Sequence, residues 1–464
     1  MAENIREIVL DTLLTMEKEK QFSNRLIKAV LDKYDYLDTR DKSFIKRLTE
    51  GTTERRIELD YYLNTYSSVP VNKMKPLIRC LMRMSVYQLL YMDNVPDSAV
   101  CNEACKLAMK RKFTNLKGFV NGVLRNISRN KENLSLPDAG KEPVKYLSVK
   151  FSCPEWLTEM WLKEYGPEMT EKMLNGLLQV HPVSLRFRST LPEKEREALI
   201  EEIRQSGADL EQNRYLPYLY TLRNSDNIGE LPGFAEGLWT VQDVSSALAV
   251  EAAGITAEDV VLDACAAPGG KSILASEKGK IVYSRDLTEE KTGLIVENVE
   301  RMNASNIIVQ EWDATIADES MKEKCDVVIL DVPCSGLGII GKKRDIKYRT
   351  SPEILTELKD LQKKIVKTCS AYVKPGGTLL YSTCTIHKGE NEEMVRWINE
   401  ELGFIPQSLK GRIPELLQQE KEITLQQRKK TAALTGEQSD ACIQLLPGTM
   451  EADGFFFAVF KKPE

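Results

Sequence analysis

Two cysteines stand where thiol chemistry is expected. Cys334, in Ile-Leu-Asp-Val-Pro-Cys-Ser-Gly (329–336), and Cys384, in Tyr-Ser-Thr-Cys-Thr (381–385), each follow a strand-like apolar run downstream of Asp-Ala-Cys-Ala-Ala-Pro-Gly-Gly-Lys (263–271). Thiolates are strong nucleophiles near neutral pH, and two of them at neighbouring strand ends can divide covalent attack from later proton removal. Beside a bound cofactor, the chemistry that needs this division is methylation of a pyrimidine carbon. A lone cysteine in an apolar strand is usually inert core, a reading open for Cys265, Cys325 and Cys369. Two thiols at the same sheet edge as a glycine loop reverse that reading.

The glycine loop, Ala266-Ala-Pro-Gly-Gly-Lys, lies between a strand and a helix, where ligands bind at the C-terminal edge of a parallel sheet. It is not Gly-x-Gly-x-x-Gly, which disfavours a dinucleotide. Gly270-Lys271-Ser272 mimics the end of a phosphate loop, but Cys265 stands where that loop needs glycine. Asp286 closes the next strand about 20 residues after the loop begins, where a carboxylate can accept from two ribose hydroxyls. Asp313, after the third strand, is placed to meet an adenine amino group. Adenosine without pyrophosphate points to S-adenosyl-L-methionine. The expected cofactor-binding set is Cys265, Ala266, Ala267, Pro268, Gly269, Gly270, Lys271, Asp286, Asp313 and Asp331.

These residues need a scaffold, and the chain is long enough for several domains: 464 residues give a prior of about three. The N-terminus mixes acids into its start, and no stretch approaches a membrane span, so an unexported, cytoplasmic protein without membrane association is expected. Ten cysteines without framework spacing fit a reducing compartment. No metal is expected: Cys101 and Cys105 lack a second pair, and the only histidines, His181 and His387, are far apart. The net charge of −5 hides a polarity. Residues 1–131 hold about 24 Lys and Arg against 16 Asp and Glu, and the remainder is correspondingly acidic, which favours an RNA-facing patch in the N-terminal third.

Residues 1–135 read as a helical bundle, from apolar spacings of three and four such as Ile5-Ile8-Val9-Leu13 and Leu77-Leu81-Met84. Lys106–Lys112 forms a basic turn before another amphipathic helix, and residues 131–150 read as a linker. Residues 145–235 read as a small α/β module. Residues 236–464 alternate strands and helices, the pattern of a Rossmann-like, mainly parallel sheet with helices on both faces. The strands expected are Val260–Asp263, 280–284, 306–310, 326–330, 378–382 and a later, antiparallel run in Gly454–Phe460. The role of the Gln-, Glu- and Lys-rich stretch 408–440 is not assigned.

Asp263-Ala-Cys-Ala-Ala-Pro-Gly-Gly-Lys, Asp331-Val-Pro-Cys-Ser-Gly-Leu-Gly, Asp345-Ile-Lys, Tyr381-Ser-Thr-Cys and Asp453-Gly-Phe-Phe, with Val241-Gln-Asp ahead of them, resemble in order the motifs of the bacterial 16S rRNA (cytosine-5)-methyltransferases of the RsmB/Sun/Fmu family. The resemblance covers nearly the whole chain. The N-terminal helices, ending in Phe119-Val-Asn-Gly-Val-Leu-Arg, are similar to the RNA-binding factor NusB. Three positions depart from the family pattern: Thr385 for the usual Ser, Lys291 for Arg, and Arg344 for Pro.

The resemblance implies a class I S-adenosyl-L-methionine-dependent methyltransferase domain, an RNA substrate in 16S rRNA, free or in a partly assembled small subunit, and a monomer. It assigns Cys384 as the nucleophile at cytosine C6, Asp331 as the group that binds the base, and Cys334 as the group that helps remove the C5 proton. Lys271 would favour a thiolate or orient Asp331. The alternative that Cys334 attacks, as the Pro-Cys thiol of DNA enzymes does, stays open. So do a tRNA substrate, an exocyclic-amine methyltransferase and a non-catalytic RNA-binding assembly factor.

Overall fold

The computed structural model describes residues 4–19, 23–179, 182–225, 227–427, 434, 436–450 and 452–464; His181 and part of the 408–440 stretch lie outside them. The chain forms two compact units, Met1–Leu178 with Lys342–Arg349, and Gln179–Gly341 with Thr350–Glu464.

The first unit is helical: α1 (Ile5–Glu19), α2 (Ser23–Lys33), α3 (Thr39–Glu54), α4 (Arg56–Tyr66), α5 (Pro76–Tyr91), α6 (Asp97–Lys110), α7 (Lys117–Asn130), α8 (Pro143–Lys150) and α9 (Glu155–Leu178). The side chain of Asp38 caps α3 by accepting from the Asp41 N–H, and Pro76 opens α5, where a missing N–H costs nothing. Helix α5 is apolar on most sides and is accordingly central, burying Ile78, Leu81, Met82, Val86 and Leu89. Cys101 and Cys105 pack in the same core.

The second unit begins with β1 (Val183–Phe187), α10 (Glu193–Gln205), β2 (Asp209–Gln212), β3 (Leu219–Arg223) and β4 (Trp239–Val241), an antiparallel sheet in the order β2-β3-β1-β4. Then follow α11 (Val244–Ala253), β5 (Val260–Asp263), α12 (Gly270–Ser276), β6 (Ile281–Asp286), α13 (Glu289–Arg301), β7 (Ile307–Glu311), β8 (Cys325–Asp331), α14 (Ile346–Arg349, which belongs to the first unit), α15 (Pro352–Ser370), β9 (Val373–Thr383), α16 (Glu392–Leu402), β10 (Ile405–Pro406), α17 (Glu415–Gln427), α18 (Gly436–Asp440), β11 (Cys442–Leu445) and β12 (Phe455–Lys461). The large sheet runs β10-β12-β9-β8-β5-β6-β7, with β11 on β12. Strands β5 to β9 pair in parallel and β12 lies antiparallel on β9, as the sequence pattern predicts. Covered on both faces, these strands read as continuous apolar runs. From β5 the chain winds through β6 and β7 and then returns to β8 on the other side of β5. The switch point between β5 and β8 is where such sheets open a crevice.

The stretch 145–235, read from sequence as one module, is divided between the units. Helix α8 packs on α4 and α9 in the helical unit, whereas β1 to β4 belong to the second. Residues 342–349, which carry the Asp345-Ile-Lys motif, also belong to the helical unit. Arg344 pairs with Glu50 at 2.9 Å and Glu54 at 3.0 Å, and Arg56 stacks on the Tyr348 ring at 3.7 Å. The Tyr348 hydroxyl sits 2.9 Å from the Glu54 carbonyl. Lys347 is buried, and burial pushes its ammonium pKa down to about 8. Periodicity cannot assign eight residues to a remote core; complementary charge and burial do.

Candidate active site

The 263–271 loop leaves β5 and turns into α12 at Gly269, whose φ of 102° is open to glycine at little cost. The loop is held from the next strand: the Ala266 N–H donates to the Arg285 carbonyl at 2.9 Å and the Ala267 N–H to Asp286 Oδ2 at 2.9 Å. Asp286 also accepts from the Leu287 N–H and from Lys291 Nζ, each at 2.8 Å. Three of its roughly four acceptor directions are thus occupied, and the buried carboxylate braces the loop. The Trp312 N–H bonds the Asp286 carbonyl, which sets Asp313 beside it, and Asp313 Oδ1 accepts from the N–H and hydroxyl of Thr315. Cys265 is partly exposed, and its thiol is pushed well above its ordinary range by burial.

Across the switch point, Lys271 Nζ donates to Asp331 Oδ2 at 2.7 Å, and the hydroxyl of Ser382, which is paired with Asp331 in the sheet, donates to Oδ1 at 2.8 Å. Asp263 is fully buried; Ser272 donates to its Oδ2 at 2.7 Å, and its Oδ1 has no partner among the described residues. Burial pushes its carboxyl up to about 7 from an ordinary 3.8.

Between those two values the folded protein holds the proton more tightly than the unfolded chain. Asp263 therefore makes stability fall as pH rises from about 4 to about 7, with the loss complete above that window. Asp263→Asn is expected to gain Tm over the unchanged protein by an amount that grows with pH between 4.5 and 8, read by thermal melts without ligand. A gain that does not vary with pH contradicts this.

The two cysteines meet. Cys334 Sγ and Cys384 Sγ are 3.2 Å apart, and both residues are partly exposed. The Cys334 thiol is pushed well above its ordinary range, first by its hydrogen bond to Cys384 and next by burial, with the charge of Glu390 adding to it.

Their loops are stitched together by backbone. The Gly338 N–H donates to the Cys384 carbonyl and the Gly454 N–H to the Gly338 carbonyl, each at 3.1 Å. A Cβ on Gly338 would fall 1.8 Å from the Gly454 oxygen, which explains glycine in both the 331–338 and 453–456 motifs. Gly338→Ala must part these loops. A cost of roughly 2–4 kcal/mol in stability is expected, with loss of methyl transfer in whatever fraction stays folded, measured by denaturant melts and turnover.

Behind the cysteines lies a buried polar cluster that the sequence did not announce. Glu390 Oε2 accepts from the Ser335 N–H and Gln362 Nε2, each at 2.9 Å, and Oε1 accepts from the Ser335 hydroxyl at 2.5 Å. Ser335 Oγ is 2.7 Å from Thr385 Oγ1. Asn391 Nδ2 donates to the Thr385 carbonyl at 3.0 Å. The only sequence signal was Glu390-Asn-Glu-Glu (390–393) soon after Cys384, and it reads as an exposed helix start. Among the described residues, no group of three or more His, Cys, Asp or Glu is placed to hold a metal ion, and no helix is long and apolar enough to cross a membrane.

Residues 252–461 match the family described as 16S rRNA methyltransferase RsmB/F, and residues 3–129 match the NusB family. The chain is 34% identical over 466 residues to "Probable ribosomal RNA small subunit methyltransferase B" of Bacillus subtilis (strain 168), covering 99% of both proteins. It is 28% identical to the ribosomal RNA small subunit methyltransferase B of Citrobacter koseri, covering 98% of both. A solved structure, "Crystal Structure of PH0851", shares the fold with a TM-score of 0.75 over 100% of both chains at 22% identity. The loop, the switch-point topology and a relationship spanning the full length lead to one conclusion: the chain belongs to the S-adenosylmethionine-dependent 16S rRNA methyltransferase RsmB/F family and carries a NusB-family domain at its N-terminal end.

Proposed function

We propose that this rRNA methyltransferase acts on carbon 5 of one cytosine in 16S rRNA through a covalent adduct on Cys384. The observation that carries the reading is the 3.2 Å thiol pair beside the Lys271–Asp331 pair at the switch point. The residues that would hold S-adenosyl-L-methionine are the 265–271 loop with Asp286, Asp313 and Asp331. The left-handed turn at Gly269 and the unpartnered buried Oδ1 of Asp263 fit a ligand at this loop. When bound, the cofactor supplies the electrophilic methyl group.

Carbon 5 of cytosine is a weak nucleophile until a thiolate adds at C6 and pushes electron density towards it. Cys384, at the end of β9, makes that bond. Asp331, held by Lys271 and Ser382, hydrogen-bonds the base near N3 and the amino group and stabilises the electron-rich adduct. Cys334 first donates its hydrogen bond to Cys384. Once Cys384 is a thioether its sulfur no longer holds the Cys334 proton as a thiolate would; Cys334 passes that proton to a solvent water and, as thiolate, takes the one on C5. The electron pair of that C–H bond then expels the Cys384 thiolate.

The target base must leave its stack to reach such a crevice, which favours a loop or end of structured RNA. The NusB-like unit supplies phosphate contacts in this reading: Lys112, Lys117, Arg125 and Arg129 are exposed at and beyond the α6–α7 turn, whereas Lys110 and Arg111 are paired with Glu7. The test is to incubate the protein with labelled S-adenosyl-L-methionine and RNA from cells lacking the activity, then map 5-methylcytosine. A single new mark in small-subunit rRNA is expected; a mark in tRNA, on another atom, or nowhere overturns the reading.

A further inference from the structure

Two thiols 3.2 Å apart cannot both ionise freely, so something must decide which becomes the thiolate. Strand ends alone do not decide it, since each cysteine follows the end of a strand at the same sheet edge. The asymmetry lies behind them. Glu390 is wholly buried, and its carboxylate accepts from the Ser335 N–H, the Ser335 hydroxyl and Gln362 Nε2, while His387 Nδ1 lies 3.3 Å from Oε1 without a hydrogen bond to it. Two of these belong to the residue next to Cys334.

Gln362 also donates to the Pro333 carbonyl at 2.9 Å, so the residues on both sides of Cys334 are held by one cluster. The Ser335–Thr385 hydroxyl contact ties this cluster to the residue after Cys384. Tyr381 and Asp331 are the other titratable neighbours, but Asp331 is turned to Lys271 and Ser382, and the Tyr381 hydroxyl donates to the Glu390 carbonyl at 2.6 Å.

We propose that Glu390 is a positioning residue that clamps the Pro333–Ser335 loop against the Cys384 loop and, through its buried charge beside Cys334, reserves the thiolate for Cys384. The proposal rests on the functional reading above, which makes Cys384 the nucleophile. It assigns to Ser335, Thr385 and Gln362 the parts of one clamp, and to Glu390 the choice between two chemically equivalent thiols.

The test is read without RNA. Full-length protein is treated briefly with iodoacetamide at one fixed pH, and peptide mass spectrometry measures labelling at each cysteine. Cys384 is expected to react about tenfold faster than Cys334, and Glu390→Gln to raise the share at Cys334 about fivefold or more while the circular-dichroism melt shows a folded protein. An unchanged ratio in folded Glu390→Gln, or faster labelling of Cys334 in the unchanged protein, overturns the proposal.

If Glu390→Gln does not fold, Thr385→Val and Thr385→Ser decide. Loss of the hydroxyl in the valine variant is expected to lower kcat about tenfold at unchanged KM for RNA, and serine to recover most of it. Equal behaviour of the two variants overturns the clamp. A methyl mapped away from carbon 5 would sink the functional reading, yet leave the labelling asymmetry intact, so the two failures are distinguishable.

Discussion

Cys384→Ala is expected to abolish methyl transfer, by on the order of 10^4-fold or more, and to leave no covalent protein–RNA species. The size follows from the role. Without addition at C6, carbon 5 has too little electron density to attack, and no other group restores it; Cys334 lies 3.2 Å away in a loop held by Glu390, and the Cys384 carbonyl fixes Gly338 rather than freeing Cys334 to move. RNA affinity should barely change, since one partly exposed thiol carries little binding energy. Single-turnover assays and filter binding on the same preparation separate the two. Full loss of RNA binding together with activity would point to misfolding, and retained activity would hand the nucleophilic role to Cys334.

Cys334→Ala is expected to behave in the opposite manner. Attack and methyl transfer proceed, but removal of the C5 proton slows by about 10^2–10^4-fold, so a methylated adduct accumulates on Cys384. Denaturing gels should show RNA carried on the protein and resistant to heat without reductant. The substitution also removes the partner of the Cys384 sulfur, and a rapid-quench experiment measures the rate of the first attack directly. Adducts in Cys384→Ala and none in Cys334→Ala would reverse the two roles.

Much of the site was legible because it is local. The Gly269-Gly270 turn, the acids ending β6 and β8, and the two thiol-bearing loops are short stretches whose residue types dictate their conformation, and the succession of strands along the chain followed from the alternation of apolar runs with helices. Three features were not legible, each for a reason of distance. Residues 342–349 join the helical unit because Arg344, Lys347 and Tyr348 find their charge and packing partners near positions 50–60 and 152. The stretch 145–235 splits because α8 and α9 bury their apolar faces against helices while β1 to β4 pair among themselves. Glu390 reads as a solvated residue since only the folded chain brings Ser335, 55 positions away, onto its carboxylate.

Asp286 illustrates the same limit on a residue the sequence did single out. Its position at the strand end was evident, but its use as a brace for Ala267 and Lys291 appears only when β5 and β6 are paired.

The most direct test of the account uses an RNA substrate whose target cytosine carries fluorine at carbon 5. With S-adenosyl-L-methionine present, attack and methyl transfer can proceed, but no proton is left on carbon 5 to remove, so the covalent complex persists and its peptide can be sequenced. The modified peptide is expected to contain Cys384, with Cys334 unmodified. A trapped peptide bearing Cys334, or no covalent complex from a preparation that methylates the natural RNA, would contradict it.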